Sequence, residues 1–318
     1  TEREMDILRE MHHAQSFRLL AQDLAGLQTI ESLSDHLTEL ADTIVQETLP
    51  LCWGTIRKRH CAAPKFAVIG YGKLGGKELG YASDLDLVYL YDDADPDAEE
   101  NYARLGQRLN TWLSSQTSAG ILFETDLRLR PNGDAGLLAV SVDAFRDYQL
   151  KSAWPWEHQA LTRARFCAGD PAVGARFEQI RCEILCQQRD LAKLKEEVIA
   201  MRQKMIDAHA SKSATEFDLK QDPGGIIDVE FIVQFLVLGH AHRYQQLTGN
   251  LGNIALLRIA GELRLIPAAE AAAAGNAYRE YRRLQHAQRL SANPRHLTGR
   301  ESIENHIAAV NTLWQAVF

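Results

Sequence analysis

The sequence has few cysteines, and their placement supports neither a disulfide framework nor a zinc module. Five are spread over 318 residues: Cys52, Cys61, Cys167, Cys182 and Cys186. None forms a CxxC pair, their number is odd, and none has zinc-like spacing with histidine, so reduced thiols in a cytoplasmic protein are expected. No apolar run reaches the roughly 18 residues of a membrane-spanning helix, and no signal peptide is recognisable. Positive charge is not in excess. The 35 Lys and Arg against 42 Asp and Glu leave a formal net charge of −7. That balance lacks the electrostatic footprint of a general nucleic-acid or membrane-surface binder, although a local basic groove stays open. No internal repeat is present. The chain starts and ends within helical patterns, which is expected of a piece of a longer polypeptide.

What is present is an ordinary globular composition, 46% hydrophobic and 24% charged, in a chain long enough for two or three subdomains. Residues 1–62 read as an N-terminal helical segment. Leu8, Met11, Phe17, Leu20 and Leu24 approximate one apolar stripe, and Ser34 is expected to cap a second helix through Leu37, Leu40, Ile44 and Leu49. Residues 63–150 read as a small core. Phe66-Ala67-Val68-Ile69 is a strand of the fully buried type, and Leu87 to Tyr91 is a second strand. Asp92 to Asp97 is a turn, and Tyr102, Leu105, Leu109, Trp112 and Leu113 follow helical spacing. Ile121 to Arg130 alternates as a third strand. Residues 151–318 read as a helical bundle, with segments near 156–168, 171–186, 190–209, 225–243, 250–262, 268–290 and 301–318. The fold class expected is α+β, predominantly helical: a small mixed sheet with helices, followed by a bundle.

The densest information lies between Gly70 and Leu87. Gly70-Tyr71-Gly72-Lys73-Leu74-Gly75-Gly76 forms a glycine-rich turn after a strand, and Ser83-Asp84-Leu85-Asp86-Leu87 follows. On a strand, residues i and i+2 point the same way, so Asp84 and Asp86 are brought side by side. Two adjacent carboxylates repel unless a cation joins them, which points to divalent-metal chemistry on a phosphate-bearing substrate. The same glycines match the dinucleotide fingerprint literally, with Asp92 near the place of a ribose-binding acid. Two features count against that reading. Lys73 to Ser83 has no amphipathic period for a crossover helix, and no alternation of strands and helices follows.

The strand, the glycine turn, the Asp84/Asp86 pair and a third acid, Asp126, on a later strand together resemble the DNA-polymerase-beta-like nucleotidyltransferases. The fit narrows with Asp126-Leu127-Arg128-Leu129-Arg130-Pro131, with Trp156-Glu157 through Arg163-Ala164-Arg165, and with Gly224-Gly225 followed by Asp228, Glu230 and Phe231. This combination, spanning Gly70 to Phe231, is similar to bacterial glutamine synthetase adenylyltransferase. That family carries two such domains, one adding AMP and one removing it by phosphorolysis. Lys77 and Gly80-Tyr81-Ala82 look more like the C-terminal, adenylylating one.

The resemblance implies ATP as substrate, Mg²⁺ as cofactor with Mn²⁺ as an alternative, and transfer of AMP to a tyrosine of glutamine synthetase. It also implies regulation by glutamine and a PII signal protein. It makes Asp84, Asp86 and Asp126 the metal ligands and catalytic acids. Gly70, Gly72, Lys73, Gly75, Gly76, Ser83, Arg128 and Arg130 become the nucleotide-binding set. The residues themselves leave plainer readings open. Asp84 and Asp86 could cap a helix or turn, and Asp126 could pair with Arg128 or Arg130. Lys73 could be a surface lysine, and Ser83 could only orient its turn. Arg163 and Arg165 serve equally well as phosphate ligands or as structural ion pairs, while Glu230 and Gln234 read as buried structural groups. Competing functions are the phosphorolytic domain of the same family, a polynucleotide or tRNA nucleotidyltransferase, and a regulatory module without catalysis.

Overall fold

The computed structural model describes residues 2–211, 213–291 and 297–318. It divides into two compact units, Thr1–Ala153 with Arg163–Ile184, and Trp154–Thr162 with Leu185–Phe318.

The first unit opens with two long helices, α1 (Glu2–Leu24) and α2 (Ile30–Gly54). The apolar stripe expected on α1 is not its buried face. Leu8 and Leu19 are buried, while Met11, Phe17 and Leu24 are exposed. The residue that fixes α1 is Arg9, fully buried, whose guanidinium donates to the carbonyls of Gly120, Trp112 and Ser115. A long cation satisfying carbonyl oxygens at a helix end replaces apolar packing there. The N-cap of α2 is Thr29, which accepts from the Ser32 N–H; Ser34 lies inside the helix and is buried.

The sheet is built on β1 (Phe66–Gly70), buried along its whole length. A one-turn helix, α3 (Gly72–Gly75), leads towards β2 (Leu85–Tyr91), which pairs antiparallel with β1. Helix α4 (Ala98–Ser114) follows, with Tyr102, Leu105, Leu109, Trp112 and Leu113 all buried as their spacing predicts. Alternate strand residues Phe66, Val68, Leu87, Tyr89 and Tyr91 share one core with α2 and α4. Trp53 stacks on Tyr102, and Tyr102 lies against Phe66 and Tyr91.

The third strand is far shorter than its alternation predicts. Only Thr125–Asp126 forms β3, in parallel pairing with the start of β2. Asp126 Oδ1 accepts from the Arg128 N–H at 2.8 Å, an Asx turn that ends the strand, and Pro131 and left-handed Asn132 complete the reversal. The chain then returns as β4 (Ala139–Ser141), parallel to the far end of β2, and α5 (Val142–Lys151), capped by Ser141.

Residues 156–168, expected as one helix, are split. Helix α6 (Pro155–Leu161) belongs to the second unit, and β5 (Arg165–Gly169) returns to pair antiparallel with β1. The sheet order is β3-β2-β1-β5, with β4 also on β2. Helix α7 (Pro171–Leu185) packs Phe177 against Phe145 of α5.

The second unit is mainly helical: α8 (Leu191–His209), α9 (Ile226–His240), α10 (Asn253–Glu262), α11 (Ala268–Leu290) and α12 (Glu304–Val317). Two short strands, β6 (Glu216–Asp218) and β7 (Leu297–Gly299), pair antiparallel and were not expected from sequence. Helix α9 is buried nearly all round and touches α6, α8, α10, α11 and α12. The chain is thus α+β and predominantly helical. Among the described residues, no helix is long and apolar enough to cross a membrane.

Candidate active site

The glycine turn and the carboxylates are joined through the backbone. β1 ends at Gly70, and the next N–H, of Tyr71, donates to the Asp86 carbonyl at 2.9 Å. Gly72 follows with φ +55°, where a side chain is strained, and a Cβ on it would overlap Asp86 Oδ2. Glycine is therefore required at 72 for its conformation and for the approach of a carboxylate. Gly75 is required by packing, since a Cβ would overlap the Arg163 carbonyl. The N–H groups of Gly75 and Gly76 donate back to the carbonyls of Tyr71 and Gly72. Those two donors close the turn, leaving its front, Gly72 and Lys73, beside Asp86.

Asp84 is exposed just before β2, and Asp86 is half-buried one residue inside it. In the β2–β3 ladder Asp86 pairs with Asp126. Burial, followed by the charges of Asp84 and Asp126, pushes the Asp86 carboxyl up to about 6, while Lys73 and Arg163 pull the other way. Asp126 goes in the opposite direction. Its hydrogen bonds from Arg128 lower it below the ordinary carboxylate range. Arg128 binds Asp126 through Nε at 2.9 Å and also through Nη2. The three carboxylates, with one guanidinium on their rim, form an oxygen-rich cluster suited to a hard divalent cation.

The structure sorts the remaining predicted residues by what they touch. Ser83 Oγ accepts from the Gly80 N–H at 3.0 Å, so it orients its own turn. Arg130 donates to the Leu127 carbonyl at 2.7 Å and lies 3.5 Å from Asp134, tying up the loop after β3. Arg163 forms a buried ion pair with Glu78 at 2.6 Å beneath the glycine turn. Arg165 pairs with Asp42 of α2 at 2.8 Å and donates to the Leu74 carbonyl. These two arginines brace the turn from behind. Their partners lie 85 and 123 residues away in sequence, and nothing local announces them.

In the second unit the Gly224-Gly225 motif is also structural. Asp228 accepts from the Gly224 N–H at 2.6 Å and from buried Arg202, and Tyr281 donates to the Gly224 carbonyl at 2.9 Å. Gln234 accepts from Gln159 at 2.9 Å in a buried pair.

Residues 1–180 match the family model described as glutamate-ammonia ligase adenylyltransferase, and residues 192–296 match that of GlnD PII-uridylyltransferase. Three similar relatives all carry the name bifunctional glutamine synthetase adenylyltransferase/adenylyl-removing enzyme. The relative from Aromatoleum aromaticum is 64% identical over 317 residues, covering 100% of this chain and 34% of its own length. That from Nitrosomonas europaea is 62% identical over 291 residues, covering 92% and 31%. That from Chromobacterium violaceum is 56% identical over 317 residues, covering 100% and 35%. The chain thus spans about a third of the length of the curated relatives it matches. With more than half of its residues matched by the family model, and the carboxylates and glycine turn inside that match, the chain belongs to the glutamate-ammonia ligase adenylyltransferase family.

Proposed function

We propose that this chain is a nucleotidyltransferase that moves AMP from ATP to a tyrosine hydroxyl of glutamine synthetase and releases pyrophosphate. The observation that carries the reading is the Asp84/Asp86/Asp126 cluster, with Asp86 and Asp126 in register and Gly72 packed against Asp86. The donor set fits Mg²⁺, with Mn²⁺ as an alternative: all three are carboxylates, and Asp86, raised to about 6 first by burial and then by the charges of Asp84 and Asp126, is a carboxylate that a divalent ion would hold ionised. Asp84, Asp86 and Asp126 would hold the ion, which when bound supplies charge neutralisation to the phosphates.

The chain's own groups supply the rest. Lys73 at the front of the turn and Arg128 at the rim present positive charge to an α-phosphate and its leaving pyrophosphate. The Gly70–Gly76 turn brings backbone close to the phosphates where a side chain would exclude them. Asp126, held ionised by Arg128, accepts a hydrogen bond from the incoming tyrosine hydroxyl and orients it for attack on phosphorus. The tyrosine proton passes through Asp126 to solvent, the tyrosine oxygen bonds to the α-phosphorus, and the bond from that phosphorus to pyrophosphate breaks, the pyrophosphate leaving with its electron pair.

The names of the relatives include a second activity, removal of the adenylyl group, and the chain covers only about a third of each. The second reading is therefore phosphorolysis of adenylyl-tyrosine by phosphate to give ADP. Regulation by glutamine and a PII signal protein belongs to the same family reading, and the match of residues 192–296 to a model named for PII uridylylation favours the second unit as the place to look.

The deciding experiment supplies unmodified glutamine synthetase, α-labelled ATP and Mg²⁺. Label on the synthetase, lost in Asp84→Asn/Asp86→Asn, is the expected result. Loss should be at least about 100-fold, beyond the 10–100-fold typical of outer-shell residues. No label, together with ADP from adenylylated synthetase and phosphate, would overturn the first reading in favour of the second.

A further inference from the structure

A cluster of chemically unlike donors lies at the opposite end of β2 from the carboxylates. His60 and Cys61 come from the connection between α2 and β1, and Asp93 follows β2. Asp93 is 33 residues from His60, so no sequence spacing marks the group. Seven residues along an extended strand separate Asp86 from Asp93, about 20 Å, so this is not part of the nucleotide site.

The geometry has the dimensions of a metal centre. His60 Nε2 is 3.0 Å from Asp93 Oδ2, and Cys61 Sγ is 3.5 Å from His60 Nε2. One ligand atom from each residue lies within 4.8 Å of the others. The edges of a tetrahedron around zinc, with bonds of about 2.0 Å to N and O and 2.3 Å to S, are about 3.3–3.6 Å. The side chains of His60 and Asp93 are only 4% and 6% exposed, so their positions are set by the fold.

An outer layer is also in place. The Asn101 amide lies 3.0 Å from His60 Nδ1. Turned to present its oxygen, it accepts Nδ1–H and leaves the Nε2 lone pair for a metal. Tyr102 OH donates to Asp93 Oδ2 at 2.9 Å, and its oxygen accepts from the Lys65 N–H at 3.0 Å. Lys65 Nζ lies 3.5 Å from Asp93 Oδ1 but is 56% exposed, so it can swing into solvent when another cation takes over.

We propose that His60, Cys61 and Asp93 form a structural site for a zinc-class divalent cation, with water in the fourth position. Binding exchanges the Cys61 S–H bond for a thiolate–metal bond and releases one proton. The ion would clip the α2–β1 connection to the end of β2 and to the start of α4. Its ligand set separates it from the carboxylate cluster, because only this site offers sulfur.

The test uses the purified chain in excess Mg²⁺, which occupies carboxylate sites, and titrates in Co²⁺. The expected result is one equivalent of cobalt showing thiolate-to-metal charge-transfer absorption, bleached by Zn²⁺ and absent in both Cys61→Ala and Cys61→Ser. Zn²⁺ should also slow alkylation of Cys61, read by peptide mass spectrometry, on the order of tenfold or more. Two results would overturn the proposal. One is charge-transfer absorption that survives in the Cys61 variants. The other is no such absorption together with Cys61 alkylation unchanged by Zn²⁺, which leaves the group as a hydrogen-bonded clasp.

Discussion

Asp86 and Asp126 occupy paired positions across the parallel β2–β3 ladder. The backbone holds two carboxylates together that would otherwise separate. Their proton affinities diverge: burial, then the charges of Asp84 and Asp126, raises Asp86 to about 6, while hydrogen bonds from Arg128 lower Asp126. The predictions below follow from that inequality and from the parts that maintain it.

Asp86 should destabilise the metal-free protein at neutral pH. Its folded pKa lies above the ordinary 3.8, so the folded state holds this proton more firmly than the unfolded chain. That contribution to stability is fully present below about pH 4 and is lost as pH rises through about 6, an effect of up to about 3 kcal/mol. Asp86→Asn should therefore raise the metal-free Tm at pH 7.5 and leave it nearly unchanged at pH 4. Thermal melts at the two pH values measure this, and equal shifts at both would contradict it. Added Mg²⁺ should raise the Tm of the native chain more than that of the variant.

Arg128→Ala should act on proton affinity rather than on folding. The side chain is 74% exposed, so its loss should leave the thermal midpoint close to native. Asp126 should then rise towards the ordinary carboxylate range, and the acid limb of the activity profile should move to higher pH. A profile that falls in height without moving would assign Arg128 to phosphate binding alone.

Gly72→Ala should damage both conformation and approach. The left-handed backbone costs about 1–2 kcal/mol for a residue with a side chain, and the new methyl displaces Asp86. Activity should fall at least about tenfold, and Mg²⁺ affinity should fall with it. Gly76→Ala is the informative comparison, because its backbone is not left-handed and the nearest atoms there belong to the Arg163 side chain rather than to Asp86.

The Glu78–Arg163 pair should matter as a pair. Both side chains are under 9% exposed, so Glu78→Gln alone removes one charge of a buried pair and should cost up to about 3–5 kcal/mol. Replacing both with apolar residues of similar volume should recover much of that loss. Denaturant midpoints of the single and double variants decide it. A single variant within about 0.5 kcal/mol of native would show that other groups balance Arg163.

The sequence carried the local features well and the distant ones poorly. The apolar run of β1 and the spacing of α4 are local patterns and lie where expected, while of the Asp84/Asp86 pair Asp86 lies on β2 and Asp84 just before it. The alternation after Ile121 failed because an Asx turn at Asp126 overrides a period-two pattern. Strand β5 was hidden because Arg165 to Gly169 follows a helical segment without a glycine or proline between, and its strand character comes from pairing with β1. The β6–β7 pair joins three residues near 217 to three near 298, a match that no local window contains. The α1 stripe misled because its key buried residue is an arginine. For the site, the carboxylates and the turn were visible. The roles of Ser83 and Arg130 in holding loops, and of Arg163 and Arg165 as braces, depended on partners that only folding reveals.

The excursion of the chain between Ala153 and Arg163 makes the first unit discontinuous. Its order of appearance during synthesis follows directly. The glycine turn, Asp84 and Asp86 leave the ribosome long before Arg163, Arg165 and β5, which hold that turn in place. Until residue 169 has emerged, the sheet has an open edge on β1, and Arg163 and Arg165 are not behind the turn. A nascent chain stopped at 153 would contain every carboxylate of the site yet lack the strand that closes its sheet. Any continuous stretch of chain that holds the whole first unit therefore carries residues 154–162 of the second.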